Sequence, residues 1–267
     1  MQAETIDPWD IFHEDAMNLE FARCGYLILD IGDITLLDEL SSIFDSYASF
    51  YSSGFMATLL VPDKGHRHDM HAMVSSVLRD IIHRCFKMYR PLCAGFAVKQ
   101  ADEPDSAMPL HQDISMLQPG GRSGLSFWLP LVPTDKENGC LHVVPGSHLY
   151  HRQPRAPGTP LPLVNKGVDR MTDYLQPLPT RRGQAIVIDQ ALFHASPPNR
   201  HVARRPVATS VLLPQEKQAF YYFRNRETDP VTLEAYAVDD DFYLSHQLGA
   251  RPAAAKPVGI MNEILSA

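Results

Sequence analysis

The chain after Pro91 is a succession of short strand-like segments, and this feature limits the possible folds most strongly. No helix-like segment separates these stretches, and Gly, Pro and Asn residues stand between them. Strands joined without intervening helices pair antiparallel, so the pattern predicts a β-sandwich or barrel instead of a parallel α/β sheet. The predicted strands are residues 92–99, 107–116, 123–132, 140–144, 184–189, 192–197, 205–213 and 217–224.

Two connections in this series have distinctive sequences. Asn138-Gly139 lies between two predicted strands and is typical of a tight hairpin turn that requires positive φ. Residues 149–182 form a long proline-rich insertion, and connections of this length in a compact domain are usually functional or disordered. Together with helical patterns before the first strand, the series predicts a mainly β fold, a jelly roll with flanking helices.

The N-terminal third mixes helical and extended patterns. Apolar residues recur at three- and four-residue spacing in two stretches, which indicates amphipathic helices packed on a core. Aspartate can cap a helix by accepting hydrogen bonds from its first N–H groups, whereas proline ends a helix. The predicted elements are a helix over 14–23 ending near Gly25, a strand over 26–30, a helix capped by Asp33, and a helix over about 69–89 stopped by Pro91.

No repeat, low-complexity tract or flexible Gly/Ser linker divides the chain. The sequence therefore predicts one domain over residues 1–267. A helix-rich N-terminal part is followed by a jelly-roll core and a C-terminal tail. These parts comprise residues 1–91, 92–225 with the insertion 149–182, and 226–267.

Composition and charge exclude several classes of protein. The net charge of −7 gives no general electrostatic support for nucleic-acid binding. No apolar run approaches the roughly 20 residues that cross a membrane, and the first residues lack the basic-then-apolar pattern of a signal peptide. Cys24, Cys85, Cys93 and Cys140 form no CxxC pair. They are predicted to be reduced, mostly buried thiols in a cytoplasmic protein.

The sharpest local motif is Pro109-Leu-His111-Gln-Asp113. On a strand, residues i and i+2 point to the same face, so His111 and Asp113 can bind one metal ion. His194, on a later predicted strand, can supply a third ligand from across the barrel. Two imidazoles and one carboxylate leave three open positions, as in non-haem Fe(II) oxygenases, although zinc hydrolases use the same donors. An isolated HxD motif also arises by chance in a chain with 12 histidines.

Several motifs in register raise this site above chance, because the sequence resembles the phytanoyl-CoA dioxygenase family of Fe(II)- and 2-oxoglutarate-dependent oxygenases. The resemblance covers about residues 92–213, and the flanking parts match in outline. It implies a double-stranded β-helix, a cupin-like jelly roll, in agreement with the strand pattern. The matching stretches, in the family's order and at similar separations, are Met108–Asp113, Leu125–Leu131, Glu137–His148, Gly183–Asp189 and His194–Asn199.

The resemblance also implies roles for individual residues. His111, Asp113 and His194 match the family's iron ligands. Ser196 and Arg205 match the residues that hold the far carboxylate of 2-oxoglutarate. The chemistry agrees, because a planar guanidinium can bind a carboxylate through two hydrogen bonds and a nearby hydroxyl adds a third donor.

Two further positions concern the same pocket. Arg204 is the neighbouring alternative to Arg205, but only one of the two can face the barrel interior, and strand alternation favours Arg205. Trp128 matches a family tryptophan at the cosubstrate pocket, and its spacing is equally typical of a core aromatic residue.

Gly95 departs from the family pattern, because relatives carry a larger side chain near the cosubstrate at this position. Lys99 and Gln100 are candidates to replace that side chain. We expect both, however, to lie at a solvent-facing end of the strand. His66, His68 and His71 are likewise expected to be solvent-exposed at a helix start, and not to form a second metal site.

The resemblance implies an oxidoreductase that binds Fe(II), 2-oxoglutarate and O2 and that ascorbate stimulates. Decarboxylation of 2-oxoglutarate to succinate and CO2 would drive hydroxylation of an unactivated C–H bond, or another oxidation such as desaturation or ring closure. Asp113 favours these reactions over halogenation, since related halogenases lack this carboxylate. Two alternatives stay open: a cupin-like Zn(II) or Mn(II) enzyme without 2-oxoglutarate, in which Arg205 has no role, and a non-catalytic small-molecule binder.

The insertion 149–182 is predicted to be a substrate lid. It carries six basic and two acidic residues, a net charge of +4, in a chain whose net charge is −7. This contrast favours a small anionic substrate, with Arg152 and Arg155 as candidate contacts. Six prolines would limit the entropy lost when the loop closes. The alternative is a solvated loop whose positive charge only balances an acidic body.

Overall fold

The computed structural model describes residues 8–32, 34–161, 168–253 and 255–263. Within these residues, no helix is both long enough and apolar enough to span a membrane. The helices are α1 (Asp15–Cys24), α2 (Thr35–Ser46), α3 (Lys64–Cys85), α4 (Val168–Thr172) and α5 (Phe242–Ser245). The strands are β1 (Tyr26–Asp30), β2 (Phe55–Ala57), β3 (Tyr89–Lys99), β4 (Met108–His111), β5 (Leu125–Pro130), β6 (Leu141–Val143), β7 (Gln176–Leu178), β8 (Gln184–Asp189), β9 (His194–Ser196), β10 (Arg205–Pro214), β11 (Ala219–Asn225), β12 (Thr232–Val238) and β13 (Gly259–Asn262).

Two antiparallel sheets face each other and form a jelly roll. The larger sheet has six strands in the order β1-β8-β5-β10-β3-β2, and the smaller sheet has four in the order β4-β9-β6-β7. Every described pairing within these two sheets is antiparallel. The predicted fold, an antiparallel jelly roll with flanking helices, is confirmed.

The larger sheet separates a core from a cavity. On one face, Phe96, Leu129 and Ala208 are buried in an apolar core together with side chains of α2 and α3. On the other face, Trp128 of β5 and Arg205 of β10 line a cavity between the two sheets. Because side chains alternate along a strand, the same strands build the core on one side and the candidate site on the other.

The N-terminal elements largely follow the prediction. α1 and β1 lie where expected, and Gly25 ends α1 in the left-handed conformation, with φ of 77°. α3 begins earlier than predicted, because Asp63 accepts a hydrogen bond from the backbone N–H of His66 (2.9 Å). Pro91 does not stop α3, and that prediction was wrong: it lies inside β3, beside the bulge where the pairing with β10 shifts. The predicted cap Asp33 lies outside the described residues.

Two predictions about strands were wrong. The strand expected over 107–116 is regular only as β4, because β4 is an edge strand whose neighbour β9 is only three residues long. Gly139 has the expected positive φ of 78°, but Asn138-Gly139 does not form a hairpin turn. β5 and β6 belong to different sheets, since β5 is paired with β8 on one edge and β10 on the other.

Further strands lie outside the predicted series. β12 and β13 were not predicted, and they form a three-stranded sheet with β11, which matches the strand predicted over 217–224. The fold therefore continues into residues 226–267. Within the insertion, α4 is followed by β7, which pairs with β6.

Glu234, in the middle of β12, is buried and accepts hydrogen bonds from Arg251 (2.5 and 3.0 Å), Tyr236 (2.6 Å) and Asn225 (2.9 Å). A buried glutamate breaks the apolar alternation by which a strand is recognised.

Candidate metal centre

Three side chains with metal-binding atoms meet where β4 and β9 pair. His111 ends β4 and lies opposite His194, the first residue of β9, while Asp113 follows two residues after His111. Asp113 Oδ1 lies 3.9 Å from His111 Nε2 and 3.7 Å from His194 Nε2. All three ligand atoms lie within 4.8 Å of one another, and the described residues contain no second group of this kind. The structure thus brings together the three residues that the sequence motifs indicate.

Backbone carbonyls hold both imidazole rings in one orientation. His111 Nδ1 lies 2.8 Å from the carbonyl oxygen of Pro109, and His194 Nδ1 lies 2.9 Å from that of Leu192. A carbonyl only accepts hydrogen bonds, so each Nδ1 is the donor in these contacts and each Nε2 is the nitrogen left for a metal ion. Burial, with repulsion from His194, lowers the pKa of His111 to about 4. The His111 ring is therefore neutral near pH 7, the state that binds a metal ion.

Asp113 is oriented by a hydroxyl group that the sequence motifs did not indicate. Ser126 Oγ on β5 donates a hydrogen bond to Asp113 Oδ2 (2.6 Å), which leaves Oδ1 to face the imidazoles. Burial alone would raise the pKa of Asp113, but attraction to His194 and His111 and the Ser126 hydrogen bond lower it on balance. Ser126 shares one face of β5 with Trp128, so a serine on the inward face was the available signal.

Arg155, near the start of the insertion, ties the ligand-bearing segments together. Its Nε donates to the carbonyl of Asp113 (2.7 Å), Nη2 to the carbonyl of Gln190 (3.1 Å), and Nη1 to the carbonyl of Gln153 (2.9 Å). Arg155 is buried, and burial lowers the pKa of its guanidinium to about 10, so it remains charged near pH 7. We call these three hydrogen bonds the Arg155 clamp, since they join the insertion to the backbone near the metal ligands.

Arg152, the other residue expected to contact an anionic substrate, is also engaged within the protein. Its Nη1 lies 3.1 Å from Asp189 Oδ2 and 3.1 Å from the carbonyl oxygen of His148, and its Nη2 donates to Ser123 Oγ. Neither Arg152 nor the buried Arg155 is therefore a free surface cation. Part of the predicted lid, residues 162–167, lies outside the described residues.

Arg205 lines the same cavity as the three candidate ligands. It is 1% exposed, its guanidinium lies 4.8 Å from the centroid of the Trp128 ring, and its Nε and Nη1 have no hydrogen-bond partner. Burial lowers its pKa to about 9, and a buried cation is costly unless an anion pairs with it. Ser196 lines the cavity too, whereas Arg204 lies on the outside and pairs with Asp45 (2.8 Å).

Lys99 and Gln100 do not lie at a solvent-facing strand end, and that prediction was wrong. The Lys99 side chain is fully buried, and its Nζ donates to the carbonyls of Ser106, Pro197 (2.8 Å) and Ser196 (3.3 Å). Burial, with a smaller contribution from the nearby charge of Arg205, lowers the pKa of Lys99 to about 7. Gln100 is partly buried. The reason is β2, which was not predicted and which pairs with this end of β3.

The space beside Gly95 is filled by Thr58, which accounts for the departure from the family pattern. Gly95 pairs with Thr209, which lines the cavity, so a side chain at Gly95 would share that face. Its Cβ would lie 2.2 Å from Thr58 Oγ1. Thr58 Oγ1 in turn accepts a hydrogen bond from the N–H of Phe96 (2.8 Å) and lies 2.7 Å from the hydroxyl of Tyr51.

We expect Gly95→Ala to lower the free energy of unfolding by about 1–3 kcal/mol, because the added methyl group would overlap Thr58 Oγ1. In the double variant with Thr58→Gly, which removes Oγ1 and also Cβ of Thr58, the overlap is relieved, so the two substitutions should couple by about 0.5–3 kcal/mol. Urea unfolding followed by circular dichroism measures each free energy. Gly259→Ala is the control, since no atom lies within 4 Å of its Cβ. If the effects of the two substitutions on the free energy of unfolding were strictly additive, the contact between Thr58 and position 95 would be contradicted.

The three histidines near the start of α3 face different surroundings. His66 is buried, with its ring stacked 4.0 Å from that of Phe50, so the expectation of solvent exposure was wrong for this residue. The side chain of His68 is 41% exposed, in line with the expectation, and its Nε2 lies 2.9 Å from Asp241 Oδ1. His71 Nδ1 accepts a hydrogen bond from a backbone N–H of β3 (3.2 Å). Residues two apart on a helix do not face each other, which separates His66 from His68.

The cavity between the sheets has a volume of about 540 Å³. Its wall contains the three candidate ligands, Ser196 and Arg205, and is otherwise mostly apolar. This size and composition are typical of small-molecule sites, in which a few placed polar groups fix the orientation of the ligand.

The chain is similar to known proteins in both sequence and fold. Residues 60–207, more than half of the chain, match the model of the phytanoyl-CoA dioxygenase family. Phytanoyl-CoA dioxygenase domain-containing protein 1 of Danio rerio is 35% identical over 115 residues, which are 40% of this chain and 39% of that protein. The matched part thus spans about two fifths of this curated relative.

Solved structures share the fold at lower sequence identity. EctD from S. alaskensis, in its apo form, has a TM-score of 0.56 at 18% identity, over 80% of this chain and 84% of that chain. The epimerase SnoN, solved with Fe3+, alpha ketoglutarate and nogalamycin RO, has a TM-score of 0.55 at 18% identity, over 77% and 85% of the two chains. Similarity at this level of identity establishes a common fold.

Proposed function

This chain belongs to the phytanoyl-CoA dioxygenase family, and from that premise we propose that it is an Fe(II)- and 2-oxoglutarate-dependent oxygenase. The proposed reaction is hydroxylation, or another two-electron oxidation, of an unactivated C–H bond in a small molecule. One observation carries the proposal: a single cavity contains both the His-Asp-His group and the unpaired guanidinium of Arg205.

The donor set of His111, Asp113 and His194 suits Fe(II). Two imidazole nitrogens and one carboxylate oxygen converge, and such a set leaves positions for further ligands. Carbonyl oxygens hold both rings and Ser126 holds the carboxylate, and contacts of this kind sustain metal affinity. Iron bound there would supply the centre at which O2 and 2-oxoglutarate react.

Arg205 distinguishes this proposal from the two alternatives. A guanidinium that is 1% exposed and has two unpaired N–H-bearing nitrogens is expected to bind an anion. A carboxylate of 2-oxoglutarate can accept two parallel hydrogen bonds from it, while the Trp128 ring supports the cation from another side. A cupin-like Zn(II) or Mn(II) enzyme that does not use 2-oxoglutarate, or a non-catalytic binder, leaves this group without a role.

The proposed reaction balances in atoms and electrons. The substrate R–H, O2 and 2-oxoglutarate give R–OH, succinate and CO2, with one atom of O2 in R–OH and the other in succinate. R–H and 2-oxoglutarate each lose two electrons, and O2 accepts all four. The chain itself would fix the far carboxylate through Arg205 and Ser196, orient Asp113 through Ser126, and exclude water with the apolar wall.

We expect the purified protein to form succinate when supplied with Fe(II), ascorbate, 2-oxoglutarate and O2, and to do so faster once its substrate is present. Labelled CO2 released from 2-oxoglutarate that carries the isotope in its keto-acid carboxyl group measures the reaction. Zn(II) in place of Fe(II) is the control and should give no succinate, since zinc has no redox chemistry. If the protein neither forms succinate nor binds 2-oxoglutarate in its Mn(II)-loaded form, the cupin-like alternative is favoured.

A further inference from the structure

Apart from the candidate ligands and Arg205, most of the cavity wall is apolar. The turn after β2, β4 and the segment that follows it, the middle of β10 and the chain after α5 all contribute aliphatic side chains. Such a wall stabilises a ligand in proportion to the apolar surface that it removes from water. These residues are Leu59, Leu60, Leu110, Ile114, Val211 and Leu248.

Each charged side chain of this wall already has a partner in the protein or an assigned ligand. Among its described residues, Asp113 is the acidic side chain and belongs to the candidate metal centre. Besides the two ligand histidines, the basic side chains are Arg205, assigned above to 2-oxoglutarate, and Arg155. The Arg155 clamp directs its donors to three backbone carbonyls. An ionic group of the substrate would therefore find no free partner of opposite charge in the described wall.

Apart from the two nitrogens of Arg205, the buried unpaired polar atoms of the wall belong to neutral side chains. Gln112 Oε1, Gln190 Nε2 and Ser210 Oγ have no hydrogen-bond partner. Gln112 Nε2 donates to the carbonyls of His151 (2.9 Å) and Ala191 (2.5 Å), which fixes that side chain. Amide and hydroxyl groups suit a neutral hydroxyl or carbonyl group better than an ion.

Several basic residues of the insertion, which were expected to draw an anion, are paired with aspartates of the body. These ion pairs offset the positive charge that the sequence places in this segment, so attraction of an anionic substrate is weakened. The pairs are Arg152 with Asp189 (3.1 Å), Arg181 with Asp30 (3.5 Å), and Arg182 with Asp38.

We propose that the substrate oxidised at this site is an uncharged, mostly apolar molecule, an inference that rests on the proposed function. Burial of a carboxylate, phosphate or ammonium group against this wall, without a partner of opposite charge, costs far more than burial of a hydroxyl or carbonyl group. The wall therefore selects for a carbon skeleton with neutral polar groups. This class replaces the anionic substrate expected from the charge of the insertion.

Three probes with the same eight-carbon chain test the preference: 1-octanol, octanoate and octylamine. The protein is loaded with Mn(II) and 2-oxoglutarate, and binding is followed by the fluorescence of Trp128, which lines the cavity. Trp9→Phe removes the other of the two tryptophans, so that the signal comes from the cavity alone. We expect 1-octanol to bind at least about tenfold more tightly than either ion near pH 7.

A cation added to the wall should change this preference. Leu60 is 51% exposed, so the fold can accommodate Leu60→Arg and the new charge can reach a bound probe. We expect this variant to bind octanoate roughly tenfold more tightly, and octylamine more weakly, than the parent protein. Leu19→Arg is the matched control: Leu19 is 75% exposed on α1 and is not among the described residues of the cavity wall. It should leave all three affinities unchanged.

Octanoate or octylamine binding as tightly as 1-octanol would overturn the proposal, and so would a failure of 1-octanol to bind. The effect of 2-oxoglutarate on Tm separates this failure from that of the proposed function. If 2-oxoglutarate raises the Tm of the Mn(II)-loaded protein while the ions bind best, only the substrate class is wrong. If 2-oxoglutarate does not raise the Tm, the proposed function fails as well.

Discussion

His111→Ala, Asp113→Ala and His194→Ala should each abolish the formation of succinate from 2-oxoglutarate. Each substitution removes one of three donor atoms that lie within 4.8 Å of one another. Loss of an outer contact to a metal ligand already lowers metal affinity or activity about 10- to 100-fold, and loss of a ligand itself should cost more. Calorimetric titration with Mn(II) measures the change in metal affinity, and the succinate assay measures the change in turnover.

The fold should survive these three substitutions, because the side chains border the cavity and the main apolar core lies on the other face of the larger sheet. Far-ultraviolet circular dichroism tests this point. His68→Ala is the matched control, since the His68 side chain is 41% exposed and pairs with Asp241 outside the cavity. It should leave turnover unchanged. Full activity of His194→Ala at limiting iron would refute the proposed ligand set.

Arg205→Met should raise the concentration of 2-oxoglutarate required for turnover far more than it changes the affinity for iron. Truncation of one partner in a buried, hydrogen-bonded charge pair costs about 2–5 kcal/mol, or roughly 30- to 5,000-fold in Kd. Without 2-oxoglutarate, the variant should be at least as stable as the parent protein, because methionine replaces a buried cation with unpaired nitrogens. Scanning calorimetry with and without 2-oxoglutarate measures both effects.

Arg204→Met is the control for this variant, because Arg204 lies on the outer face and pairs with Asp45. It should leave the requirement for 2-oxoglutarate unchanged and cost at most about 1 kcal/mol of stability. Ser196→Ala should act like Arg205→Met but more weakly, since its hydroxyl is a neutral donor. A large effect of Arg204→Met together with no effect of Arg205→Met would contradict the proposal, because 2-oxoglutarate would then bind on the face of β10 away from the cavity.

Strand periodicity was sufficient to predict which neighbouring side chains share a face. It places Arg205 inside and Arg204 outside, as the structure has them. The position of His194 opposite His111 depends on the order of strands in the smaller sheet, which periodicity does not contain. For that pairing the family resemblance was the necessary guide.

Contacts between distant segments could not be predicted in this way. Lys99 is buried because β2 pairs beside it and three carbonyls accept hydrogen bonds from its ammonium group. Thr58 fills the space beside Gly95 from a turn far earlier in the chain. Ser126 reaches Asp113 from another strand. Such partners depend on the assembled fold, and no pattern within one element specifies them.

The Arg155 clamp sets a boundary for exchange of the insertion between related proteins. Its hydrogen bonds reach the carbonyl of Asp113, and the next residue, Ala156, packs with Tyr222 in a small core. The first residues of the insertion therefore belong to the barrel. A chimaera spliced at residue 149 would discard a support of the metal centre together with the loop, whereas one spliced after Ala156 would retain it. New substrate ranges can thus be explored by recombination downstream of that point without loss of the catalytic scaffold.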